Sequence, residues 1–148
     1  MNKQGKSNKK IAPLDNSTTN INLSTSNSKE MTAYIIVNDS LGMSKGKIAS
    51  QSAHGILAMN RFLLGNNINH LKWITNGEKI VVVKASNDLI NQLLTDYNEK
   101  IPSINTFNLF PIYDAGRTEV LIGSLTVLTS TPITDDKKPE WIKHLKLL

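Results

Sequence analysis

The sequence predicts an α/β fold, a three-layer sandwich in which a mixed four-stranded sheet is flanked by helices. Three observations predict it. Short apolar runs alternate with stretches whose apolar residues recur at helical spacing. The first two runs are separated by a helical stretch, the crossover that parallel neighbours need. The last two are joined by a loop short enough for an antiparallel pair.

The elements follow in chain order. Residues 1–30 are dominated by Asn, Ser, Thr and Lys and cannot bury enough surface to offset the entropy of ordering, so they read as a disordered tail. The remainder, 31–148, reads as one domain with length enough for a real core. Five lysines against two acidic residues lie in the tail, which therefore carries most of the formal net charge of +5 and leaves the domain without a globally basic surface. The tail has no long apolar stretch of a signal peptide or membrane anchor and no Arg-rich transit pattern, so a cytoplasmic protein without membrane contact is expected. The absence of cysteine agrees with a reducing compartment.

A first strand is expected over 33–38 and a helix over 45–65, whose residues Ile48, Ala49, Ala53, Ile56, Leu57, Phe62 and Leu63 cover enough of its surface to pack it on a sheet along most of its length. After the Gly77 turn come a strand over 79–84 and a helix over 86–97. Strands over 106–113 and 123–130 and a short C-terminal helix complete the order. Pro111 removes one ladder donor from the third strand, which suits an edge or a bulge. Trp73 and Trp141 read as packing residues rather than base-stacking platforms.

Chemistry-bearing residues concentrate in two segments. Met43 to His54 opens the first helix, and Lys47, Gln51 and His54 stand four and three residues apart, on one face. Lys45 and Lys47 in a first helical turn oppose the macrodipole, which favours negative charge at that end by roughly 0.3–1 kcal/mol. Two ammonium groups beside free backbone N–H groups make a site suited to phosphate or to a developing oxyanion. A Walker loop is excluded, because three residues rather than four separate Gly42 from Gly46 and Ile48 stands where a magnesium-binding hydroxyl is needed. The second segment, Asp114 to Thr118, lies at a strand end, where Gly116 permits a tight turn and Arg117 and Thr118 put a fixed cation and a hydroxyl beside a carboxylate.

Three motifs stand in this order: Lys-x-Lys-Ile-Ala-x-Gln-x-x-His from Lys45, Asp-Ala-Gly-Arg-Thr from Asp114, and Gly-Ser-x-Thr-Val-Leu from Gly123. Together they closely resemble the archaeal and eukaryotic type of peptidyl-tRNA hydrolase over about residues 31–148. The chain departs from the family at Ser50, where Ala is usual, at Leu121 and Ile122, where a proline often precedes the Gly-Ser, and over Thr131 to Trp141. The resemblance implies hydrolysis of the ester between a peptide and the 3′ ribose of tRNA, peptidyl-tRNA as the RNA partner, and a homodimer; no cofactor is expected. A binding module that keeps the fold and tRNA affinity without catalysis is the alternative, and an interaction scaffold is a third class that leaves the polar stripe of the first helix without purpose.

Ester hydrolysis needs a positioned water, a proton acceptor and donors aimed at the oxyanion. Asp114 is the carboxylate of the matched motifs able to orient or deprotonate water, and Lys47 is the candidate for the oxyanion or a terminal phosphate. Gln51, Thr118 and Thr126 position water or substrate, and His54, two turns from Lys47, has a supporting role. Lys45, Arg117 and Lys84 are candidates for tRNA phosphates, each adding to a salt-dependent affinity. No Gly-x-Ser-x-Gly elbow or cysteine offers a protein nucleophile, and His54, His70 and His144 lack metal-ligand spacing, so water attack without a metal is expected.

Overall fold

The protein, seen here as a computed structural model, is described over residues 29–64, 68–98, 107–117 and 119–148. The expectation of a disordered tail falls almost wholly on residues outside that description, as does the candidate Thr118. The apolar run after Glu30 forms β1 (Met31–Asn38), buried at all eight positions, as a strand covered on both faces must be. Its side chains alternate. Met31 and Ala33 pack with Met59, Leu63 and Trp73, Ile35 and Val37 with Met43, Ile48 and Val127, and Ile36 with Ile90, Leu93 and Leu94.

A helical crossover, α1 (Lys45–Leu63) followed by α2 (Ile68–Thr75), leads to β2 (Ile80–Ala85), which pairs parallel to β1 with Ile35 opposite Val82. Next come α3 (Asn87–Asn98), β3 (Leu109–Tyr113) and β4 (Leu125–Ser130). The chain closes with β5 (Ile133–Thr134), α4 (Glu140–Lys143) and β6 (Lys146–Leu147). The sheet runs β3-β4-β1-β2-β6, with β5 on β1, so β4 lies beside the first strand although it comes late in sequence. Met59, Leu63 and Trp73 of α1 and α2 cover one face; Ile90, Leu93 and Leu94 of α3, with Trp141, cover the other. The three-layer α/β sandwich is therefore present, and both tryptophans are packing residues.

Three expectations need correction. Among the described residues the sheet has six strands rather than four, because β5 and β6 are two residues long and leave no periodic signal in sequence. The two-turn helix α2 was not expected, for the same reason of length. Finally, α1 packs through a narrower stripe than its apolar content suggests: the buried row is Gln51, Gly55, Met59 and Leu63, while Ala49, Ala53 and Leu57 are exposed. The row begins with a polar residue and passes through a glycine packed against Thr129 of the sheet. Pro111 lies on the edge strand β3, beside a register shift, as its missing donor requires.

Candidate functional site

The register shift shapes the site. Ile112 pairs with Val127 and Tyr113 with Leu125, so Thr126 has no partner in the ladder and bulges. Leu125 and Leu128 then face α3 while Val127 faces α1, and the extra residue lets the Thr126 side chain turn toward α1 as well. The fully buried Thr126 hydroxyl donates to Gln51 Oε1 at 2.7 Å, with the Ile112 carbonyl 2.9 Å away as a second acceptor for the same proton. That contact fixes the Gln51 amide with its nitrogen toward Asp114, whose Oδ1 lies 3.3 Å from Nε2.

Asp114 follows the end of β3 and is itself held by the backbone, its N–H donating to the Ser124 carbonyl and its carbonyl accepting from Gly123 N–H, each at 2.9 Å. Its carboxylate accepts from three groups and keeps capacity for a further donor. Oδ1 accepts from the Lys47 ammonium as well as from Gln51, and Oδ2 accepts from Gly116 N–H at 2.7 Å. Gly116 has φ +69° and packs against Ile122 so closely that a β-carbon would stand 2.8 Å from the Ile122 Cα. Only glycine suits that turn.

The side chains of Lys47 and Asp114 are 9% and 3% exposed, a charge pair withdrawn from water but bordering a cleft. The Lys47 ammonium, bonded to Asp114, holds that carboxyl below the usual carboxylate range; burial works the other way, and Gly116 N–H reinforces the lysine. Asp114 is thus ionised at neutral pH and weakly basic, better fitted to orient a water than to take its proton.

The start of α1 is arranged differently from the expectation. Its N-cap, Ser44, accepts from Lys47 N–H at 3.2 Å, and also donates its own N–H and hydroxyl to Glu119, at 2.8 and 2.5 Å. The carboxylate of Glu119 already occupies the positive end of the helix, where a site for a phosphate or a developing oxyanion was expected. The Ser44 hydroxyl and then its amide hold Glu119 below the usual carboxylate range. Sequence reasoning missed this clasp; Ser44 carries an N-cap signature, but nothing in the sequence pairs it with Glu119.

A cleft of about 820 Å³ opens over these groups. One wall is a single stripe of α1: Lys47, Gln51, His54, Ala58 and Arg61. The opposite wall is Pro111, Ile112, Tyr113 and Asp114, with Arg117 and Glu119 at one end. The structure thus brings Lys47, Gln51 and Asp114 together at the cleft, with Thr126 behind Gln51. His54 and Arg117 are exposed on its walls. Lys45 is exposed at the start of α1 but does not line the cleft. Lys84 does not reach it; its ammonium pairs with Asp39 at 3.2 Å. Arg61 was missed, although it continues the four-and-three spacing of Lys47, Gln51, His54 and Ala58. Among the described residues no group of three or more His, Asp or Glu side chains is arranged to hold a metal ion.

The family model described as "Peptidyl-tRNA hydrolase PTH2" matches residues 31–148. A peptidyl-tRNA hydrolase of Methanocaldococcus jannaschii is 32% identical over 121 residues, 80% of this chain and all of that protein. One of Methanococcus maripaludis is 34% identical over 117 residues, 77% of this chain and 96% of its own. The bovine protein named "Peptidyl-tRNA hydrolase 2, mitochondrial" is 36% identical over 122 residues, 81% of this chain and 65% of that protein.

Proposed function

Because the chain belongs to the peptidyl-tRNA hydrolase PTH2 family, we infer that it hydrolyses the ester joining a peptide to the 3′ ribose of tRNA and frees the tRNA for reuse. The observation that carries this reading is the Lys47–Asp114 pair at the cleft floor, locked through Gln51 to the bulged Thr126. In our reading Asp114 and Gln51 orient the attacking water, and the Lys47 ammonium, held in place by its bond to Asp114, faces the developing oxyanion. Water adds to the ester carbon; the peptide leaves as a carboxylic acid and the ribose oxygen takes the remaining proton. Thr126 acts through Gln51 as a positioning residue, and the Thr118 hydroxyl adds a further contact to water or substrate.

His54 and Arg117, exposed on the cleft walls, meet the substrate rather than the buried pair. With Lys45 at the helix start, Arg117 contacts tRNA phosphates. Residues 31–148 form the catalytic unit and 1–30 an accessory tail. The protein works as a homodimer, for which the exposed Leu57, Leu71 and Ile74 supply apolar area, and in the cytoplasm; sedimentation and cell fractionation test the two statements.

The deciding experiment is release of the acyl group from N-acetylated aminoacyl-tRNA by the parent and by Asp114→Asn, with chelator present. We expect turnover by the parent that survives chelation and falls by a factor on the order of 10² to 10⁴ in the variant. A folded parent that binds tRNA and releases nothing overturns the reading.

A further inference from the structure

Tyr113 is 53% exposed on the cleft wall, directly beside Asp114 in the chain. The two Cα atoms of such neighbours stand about 3.8 Å apart. An aromatic side chain left half in water, next to a reacting centre and at a β-bulge, suits a flat ligand that is still to arrive. The charges in the cleft point the same way. Its two carboxylates are both engaged, Asp114 by Lys47 and Glu119 by Ser44. Arg61, His54 and Arg117 form no ion pair with described residues. From Lys47 to Arg61 the stripe runs fourteen residues, about 21 Å along the helix axis. That length accommodates several nucleotides of single strand at a stacked rise of roughly 3.4 Å.

Resting on the hydrolase reading, we propose that this cleft seats the single-stranded 3′ end of the tRNA, with the terminal base stacked on Tyr113 and the preceding phosphates running past His54 to Arg61. The order is consistent with the chemistry, since the terminal nucleoside is joined directly to the ester and its base must lie beside the reacting atoms. Successive phosphates then fall farther along α1, toward Arg61. A nascent peptide of arbitrary sequence has no fixed charge to match this wall, whereas a nucleotide strand has one on every unit. An aromatic face also accepts any base, so recognition here is by strand and terminus rather than by sequence.

The test measures binding of deacylated tRNA, intact or lacking its 3′-terminal nucleotide, to the full chain and to Tyr113→Ala, Tyr113→Phe and Arg61→Gln, alongside steady-state hydrolysis of substrates with short and long peptides. Tyr113→Ala should weaken binding of intact tRNA roughly 5- to 100-fold, the equivalent of one stacked base. KM should rise far more than kcat falls, and Tyr113→Phe should restore most of both. Tyr113→Ala should have little further effect on the truncated tRNA, because both changes remove the same contact. Arg61→Gln should weaken binding and lower the salt slope by about one unit. Unchanged tRNA binding in Tyr113→Ala overturns the proposal, as does a defect that appears only with longer peptides, which would put the peptide arm in the cleft. A parent that shows the Tyr113-dependent binding but no turnover would retain this inference while removing the hydrolase.

Discussion

Gly55 of α1 lies directly against Thr129 of β4: a β-carbon at position 55 would overlap the Thr129 hydroxyl and stand 3.2 Å from its Cβ. The contact joins the helix that carries Lys47 and Gln51 to the strand that carries Thr126 and leaves no room there for a methyl group.

Gly55→Ala should therefore lift α1 from the sheet and cost about 1–3 kcal/mol, the usual range for overpacking a close-packed interior. The buried Thr129 hydroxyl has no hydrogen-bond partner among the described residues, so Thr129→Ala in the same chain should recover part of the loss. Urea denaturation of both variants measures this; a Gly55→Ala protein as stable as the parent would show that the contact is relaxed in solution.

Lys47→Met and Gln51→Ala should separate two roles. Loss of the ammonium removes an oxyanion donor, and kcat should drop by about 10² to 10³. Loss of the amide frees Thr126 and leaves Asp114 with Lys47 and Gly116, so its effect should be smaller. Thr126→Val, which keeps the shape but withdraws the hydroxyl that orients Gln51, should resemble Gln51→Ala, and Gln51→Ala/Thr126→Val should be little worse than either. Additive losses in that pair would show that Thr126 acts on its own.

The lowered carboxyl of Asp114 predicts a pH dependence of stability. A folded pKa below the unfolded value means that the unfolded chain binds the extra proton, so the stabilisation is complete above the ordinary Asp value near 3.9 and fades as pH falls through the folded value. Unfolding free energy measured from pH 6 downward should show a slope below about pH 4, and Asp114→Asn should flatten it. An unchanged slope in the variant would assign that slope to other acids, with Asp136, held at about 2 chiefly by its hydrogen bond from Lys29, as the leading one.

Gly116→Ala should be active-site lethal with a modest stability loss. Its φ of +69° disfavours any side chain, and the added carbon would press on the Ile122 backbone. The turn must open, and the N–H that Asp114 Oδ2 accepts moves with it. Activity near the parental level, with an unchanged circular dichroism spectrum, would refute a tight role for this turn.

Much of the site was legible in the sequence because its members repeat at helical spacing or sit in a short motif. Lys47, Gln51 and His54 share a face by their spacing alone, and the motif around Asp114 puts a carboxylate at a strand end. What could not be read arises from pairing between distant segments. Glu119 meets Ser44 across 75 residues of sequence, and neither residue signals the other. The bulge that turns Thr126 inward exists only once β3 and β4 have chosen their register. Lys84 looked available as a free cation; its engagement with Asp39 depends on how β2 and the turn after β1 meet in space.

The fold itself was read from alternation and connection lengths, which work for long elements. Gln51 shows the limit of that reading. A helix scored by its apolar residues is expected to bury Ala49, Ala53 and Leu57, yet these are exposed while a glutamine is buried. Satisfied hydrogen bonds to Thr126 and Asp114 outweigh the burial of small apolar side chains.

The place of β4 between β1 and β3 has a consequence for how the molecule comes into being. Synthesis delivers β1, α1, β2 and α3 first, but the strand on which α1 closes arrives only with residues 125–130. Until then Gly55 has no Thr129 to close on, and Gln51 has no Thr126 hydroxyl to orient its amide. A chain truncated before Leu125 would have all of α1 and most of the motif residues but no cleft floor. Recovery of hydrolysis during refolding would therefore report the last long-range docking event, not the formation of local helices, and a late-arriving central strand gives this chain a slow, non-local final step.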